Sequence, residues 1–140
     1  MVKDTSQMLL ELENCSDFKE FLNENSENIV KKELSLSLNE LLKHHNIKKS
    51  AAVRRSEINE IYAYQIFAGS RVPERNKLLC ICIGMGLELS EVQTLLKTTG
   101  YAPLYVKNPF DCTVAFGIHK KLKLLEINAL LYENGLDTLG

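Results

Sequence analysis

The chain lacks any uninterrupted apolar run of the roughly 18 residues that a membrane span needs, and Met1 to Leu12 lacks the basic start and long apolar stretch of a secretory signal. A cytoplasmic protein with no membrane partner is therefore expected. Cysteine is scarce: Cys15, Cys80, Cys82 and Cys112 form no CxxC pair and have no histidine at zinc-finger spacing. On a helix Cys80 and Cys82 would point about 200° apart, so they could not share a metal. Buried free thiols are the expectation. Glycine-rich phosphate loops are missing too. Gly84-Met85-Gly86 has neither the third glycine nor the preceding strand of a dinucleotide fingerprint and reads as the end of a helix. No Ser, His and Asp arrangement or carboxylate pair stands out, so no enzyme, cofactor or metal site is expected. His44 and His45 adjoin at a helix end and are read as surface or capping residues, because consecutive side chains do not converge as an i, i+4 pair does. His119 is isolated.

Net charge is also small, at −1 over 140 residues, but its distribution is uneven. Residues 1–42 hold 4 basic and 9 acidic residues, residues 43–77 hold 8 and 3, and residues 78–140 hold 5 and 6. An anionic partner would select such a positive middle segment. Hydrophobic residues make up 45% and charged residues 25%, which suffices for one globular domain with a packed core.

Apolar residues recur at helical intervals almost throughout, so the fold class is all-α. A first helical region runs from about Thr5 to Asn23, followed by a polar loop over Asn23 to Asn28. Ser35 or Ser37 caps a helix carrying Leu38, Leu41 and Leu42 that ends near Asn46. Ala51, Ala52 and Val53 belong to a small helix, and Asn59 caps another that runs through Phe67 to Gly69, a residue that tolerates the left-handed C-terminal conformation. Pro73 opens a fourth helix through Met85. Ser90 and Gln93 form a capping box for a fifth, with Val92, Leu95 and Leu96 inward and Gly100 beyond. After an extended segment from Tyr101 to Lys107, Asn108 and Pro109 start a helix through Ile118, and a last helix runs from about Lys121 to Asn134.

The stretch from Lys48 to Leu79 contains a short helix, a tight turn and a second short helix, the unit that presents a helix to the DNA major groove. Here the chain resembles the lambda-repressor-like (Xre/Cro) helix-turn-helix family over about Leu38 to Gly100. The resemblance rests on Asn46-Ile47-Lys48-Lys49, Ala52-Val53, Ile58-Asn59, the inward Ala63 and Ile66, Gly69-Ser70-Arg71-Val72-Pro73, Leu78-Leu79 and Leu87-Glu88-Leu89-Ser90. It implies a five-helix core over 35–100, with an N-terminal helical arm over 1–34 and a C-terminal helical extension over 101–140 that packs on the core or dimerises. It implies a sequence-specific transcriptional regulator of double-stranded DNA. The third helix of the core, 59–67, would read bases through Asn59, Glu60, Ile61, Tyr64 and Gln65, while Lys48, Lys49, Arg71, Arg75 and Lys77 would contact phosphates.

The chain departs from the family pattern at Lys49, where members carry glutamine, at Phe67, where an acidic residue is common, and at Glu57, which occupies the usual turn glycine. A left-handed conformation at Glu57 would cost about 1 to 2 kcal/mol. The competing reading is a protein-interaction adaptor, since Ile61, Tyr62, Tyr64 and Phe67 make the third helix unusually apolar and aromatic. A homodimer would use Leu104, Tyr105, Phe110, Phe116, Leu122, Leu125, Leu130 and Leu131, and in the DNA-binding case would address half-sites about 34 Å apart.

Overall fold

A computed structural model describes residues 9, 10, 13 and 33–140. The expected helix from Thr5 to Asn23 and the loop after it lie outside the described residues, apart from 9, 10 and 13, which are helical. All regular structure in 33–140 is helical: α1 (residues 33–44), α2 (Lys49–Ser56), α3 (Glu60–Ala68), α4 (Arg75–Met85), α5 (Leu89–Thr98), α6 (Pro109–His119) and α7 (Leu124–Glu133).

At the centre lies α4. Leu78, Leu79, Cys80, Ile81, Cys82 and Met85 are all buried, so this helix is enclosed on every side rather than amphipathic. Burial pushes the Cys80 thiol up to about 11 and that of Cys82 to about 12, leaving both as inert apolar groups. Cys112, in contrast to the expectation, is exposed.

Among α2 to α7, the most extensive helix pairing joins α2 to α4. It depends on Gly84: a Cβ there would lie 2.7 Å from the Ala52 carbonyl oxygen and 2.8 Å from the Ser56 nitrogen. The two backbones meet, and only glycine permits it. Between α2 and α3 the turn passes through Glu57 at φ 56° and ψ 17°, so the strain expected of a side chain at this position is present.

Helix α3 begins as the sequence suggests, with Asn59 Oδ1 accepting from the Tyr62 N–H at 3.0 Å, and ends at Gly69 with φ 84°. Its far end is closed by α1. Ser35 Oγ and Asn39 Nδ2 donate to the Phe67 carbonyl at 2.6 and 2.9 Å, satisfying one of the acceptors left over in the last helical turn. Ser35 is therefore not an N-cap. It sits inside α1, whose Leu34, Leu38 and Leu42 enter the core.

Three other expected helix starts shift. Pro73 lies two residues before α4, where it is buried and its carbonyl accepts from the Tyr101 hydroxyl. In α5 the capping pair is Glu88 and Glu91, with the Glu88 N–H donating to Glu91 Oε1 at 2.9 Å, rather than Ser90 and Gln93. Lys121 adopts φ 58° and cannot begin α7, which starts at Leu124.

Gln93 instead reaches forward. Its carboxamide exchanges two hydrogen bonds with the backbone of Leu104, at 2.9 and 2.7 Å, holding the extended segment against α5. Asn128 does the same for Leu139, at 3.3 and 2.7 Å. In both cases a side-chain amide satisfies backbone that lacks a helical partner, while the leucine side chain enters the core.

The extension over 101–140 consequently shares the apolar core of the preceding helices: Leu104, Val114, Ala115, Ile118, Leu124, Ile127, Leu131 and Leu139 belong to the same cluster as Leu38 and Leu78. Among the residues expected at a dimer surface, Leu104 and Leu131 are thus buried, and Phe110 and Leu122 pack against the core. Tyr105, Phe116 and Leu125 remain exposed.

Candidate nucleic-acid interface

The outward side of α3 is built by its inward side. Ala63, Ile66 and Phe67 are fixed in the core, which leaves Glu60 and Ile61 exposed and Tyr64 and Gln65 half-buried. Ile61 is 70% exposed, a high value for a branched aliphatic side chain. Asn59 is exposed and its Oδ1 already accepts the capping bond, which leaves its Nδ2 group as an available donor. The helix itself carries no Lys or Arg.

Lys49 lies with its ammonium 5.8 Å from the centroid of the Phe67 ring, within cation–π range, which brings the start of α2 beside the end of α3. Arg71 follows that same end of α3, two residues after Gly69, and is exposed. Lys48 is the N-cap residue of α2 and forms no side-chain capping bond. The leading N–H groups of α2 therefore have no side-chain acceptor, and two lysines stand beside them. Among the described residues, the Lys48 and Arg71 side chains make no hydrogen bond or ion pair.

Arg75 does not belong to this group. Its guanidinium forms a two-pronged pair with Asp111, Nη1 to Oδ1 and Nη2 to Oδ2 each at 2.9 Å, and donates further to the carbonyls of Ala102 at 2.9 Å and Pro103 at 3.1 Å. This geometry occupies nearly the whole fork and ties α4 to the start of α6. The phosphate contact expected at Arg75 thus competes with partners within the chain. Burial alone would raise the Asp111 carboxyl, but the Arg75 hydrogen bonds, the Tyr105 N–H and the adjacent positive charge hold it below its ordinary range. Lys77 is also directed within the chain, donating to the Gly140 carbonyl at 3.3 Å.

Two features escaped the sequence reading. The first is a hollow of about 650 Å³ at the other end of α2, where Arg54, Arg55 and Lys123 surround an apolar floor containing Ile83, Leu87 and Leu122. Its only sequence signal is the pair of adjacent arginines and the lysines near residue 121. The second is the meeting of His44 and His45 with Glu91. His45 Nε2 lies 2.8 Å from each Glu91 carboxylate oxygen. Burial would raise the Glu91 carboxyl, yet the Glu88 N–H and His45 together bring it below its ordinary value.

Comparisons with known protein families, with curated proteins and with solved structures find no match to this chain.

Proposed function

We propose that the chain is a sequence-specific duplex DNA-binding regulator of the lambda-repressor-like helix-turn-helix kind, with α3 entering the major groove. The observation that carries this reading is the grouping of Lys48, Lys49 and Arg71 around the end of α3 while Glu60 and Ile61 stand exposed along it. Nine residues of helix span about 13 Å, comparable with the roughly 12 Å width of the groove. Phosphates bind at the uncapped start of α2, where backbone N–H groups and Lys48 and Lys49 attract an anion, and at Arg71. Base edges are read by Asn59, Glu60 and Gln65 through hydrogen bonds, and by Ile61 and Tyr64 through contact with thymine methyl groups. Arg75 and Lys77 take no part.

Selection from a random duplex library at two salt concentrations tests the reading. An enriched motif is expected, and the double variant K48A/R71A should weaken binding to all sequences and flatten the salt dependence by about one unit per lost phosphate contact. Absence of any enriched motif, or an unchanged salt slope, would overturn it. One observation favours a second reading, a protein-interaction adaptor: the 70% exposure of Ile61 on a helix without basic residues. That reading predicts that I61D abolishes a partner interaction while K48A/R71A leaves it intact. For a homodimer the available surface is on α6 and α7, where Phe116 is exposed and Leu125 and Tyr132, seven residues apart, are 72% and 79% exposed. A monomeric mass by light scattering at micromolar concentration would remove it.

A further inference from the structure

We propose that His44, His45 and Glu91 form a binding site for a divalent transition-metal ion of the zinc class, independent of the DNA-binding reading. His44 is the last residue of α1 and His45 the first beyond it. Consecutive residues within a helix diverge, but here the backbone is leaving the helix. His45 N still bonds the Leu41 carbonyl at 3.0 Å, and Asn46 then turns left-handed at φ 53°. The two imidazoles meet edge to face with centroids 5.1 Å apart. The third donor comes from α5, and one ligand atom from each of the three residues lies within 4.8 Å of the others.

Distances decide what could sit there. Zinc binds imidazole nitrogen and carboxylate oxygen at about 2.0 to 2.2 Å, so neighbouring ligand atoms in a tetrahedral site are about 3.4 Å apart. The His45–Glu91 contact, at 2.8 Å, is shorter than that value, and all three ligand atoms lie within 4.8 Å of one another, so seating an ion takes a small adjustment. That adjustment falls on His44, which is exposed and whose ring makes no hydrogen bond among the described residues. Glu91 is already fixed: its Oε1 accepts from the Glu88 N–H, an outer contact of the kind that orients a ligating carboxylate. A set of two nitrogens and one carboxylate favours zinc, nickel or copper over magnesium or calcium. A hollow of about 410 Å³ adjoins His44 and Glu91. Water from it completes the coordination.

The site links the end of α1 to the start of α5, and the turn after it leads directly into Lys48. Metal binding stabilises the folded chain, since the unfolded chain does not hold the three donors together.

The test uses the full chain stripped with a chelator and titrated with zinc chloride, then separately with cobalt chloride. At 100-fold excess over Kd, zinc should raise the Tm by roughly 10 °C, and cobalt should produce the visible absorption of a tetrahedral site. H44N removes an exposed ligand whose ring touches His45 but makes no hydrogen bond, so it should fold normally and lose at least about 10-fold in metal affinity. E91Q should lose affinity similarly, while H119N and C112S, which alter the remaining histidine and an exposed thiol, should bind as the parent does. No Tm rise in the parent chain, or an equal rise in H44N, would overturn the proposal and leave His45 and Glu91 as a simple ion pair.

Discussion

Replacing Arg75 by alanine separates a structural role from a DNA-contacting one. The substitution removes four hydrogen bonds, two of them to Asp111 at 2.9 Å. It leaves a carboxylate whose side chain is only 10% exposed, with the Tyr105 N–H at 2.9 Å as its remaining partner among the described residues. Breaking a fully buried ion pair by removing one partner costs about 3 to 5 kcal/mol. The Arg75 side chain is 25% exposed, so water replaces part of what is lost and the lower end, about 3 kcal/mol, applies. For a chain of this size that lowers the Tm by roughly 10 °C.

Urea denaturation followed by circular dichroism measures the loss. In the double variant R75A/D111A the orphaned charge is gone, so the cost should fall short of the sum of the single variants by about 2 kcal/mol. The pH dependence has a definite sign. Asp111 titrates below its ordinary value of 3.8 in the folded chain, so its contribution is present above that value and is lost as pH falls through the lower folded pKa. The gap in stability between the parent chain and R75A should therefore narrow in acid, below about pH 4. An R75A chain that unfolds at the parental urea midpoint while its DNA salt slope falls by about one unit would refute the reasoning and return Arg75 to the phosphate set.

Glu57→Gly should stabilise the chain by about 0.5 to 1 kcal/mol, the relief of a left-handed side chain less the added freedom of the unfolded glycine, as measured by urea midpoint. Gly84→Ala should destabilise by about 2 to 3 kcal/mol, because the new methyl meets the backbone of Ala52 and Ser56 and no rotamer can relieve it. Gly117→Ala provides the contrast: the nearest atoms to its Cβ are in the Ile127 side chain, at 2.4 and 2.7 Å, so the double variant G117A/I127A should cost less than the sum of the two single substitutions. Equal responses at the two glycines to a change in the facing side chain would show that the helix pairs are not held as described.

Features encoded within a few residues were legible in the sequence. Asn59 caps α3, Gly69 ends it, and Asn108 accepts from the Asp111 N–H at 3.0 Å ahead of a first-turn proline, because each signal and its partner lie within one turn. What could not be read depends on partners far along the chain. Ser35 looks like a cap from its own neighbourhood, yet its partner is the Phe67 carbonyl, 32 residues away. Gln93 looks like the second half of a capping box, and its partner is Leu104. Arg75 stands near a helix start in a basic stretch, as a phosphate contact would, and only the placement of Asp111, 36 residues later, distinguishes the two roles. The histidine pair fails for a related reason: helical periodicity holds only up to residue 44, where α1 stops, and does not govern where the His45 ring points.

These long-range contacts bear on how the candidate interface is held. Arg75 and Tyr101 bind the segment after α5 back onto the start of α4, while Gln93 fixes that segment to α5. Helix α4 in turn positions α2 through the backbone contact at Gly84, and α2 carries Lys48 and Lys49. The residues from 101 onward thus hold α4, and through it α2, whose start lies beside the end of α3. A chain cut after Gly100 would lose Leu104, Val114, Ile118, Ile127 and Leu131 from one continuous core and leave the Arg75 guanidinium without its carboxylate. The helices within 35–100 share one apolar cluster with the two helices that follow, and the carboxylate facing Arg75 belongs to α6, so cutting the chain there should destabilise what remains.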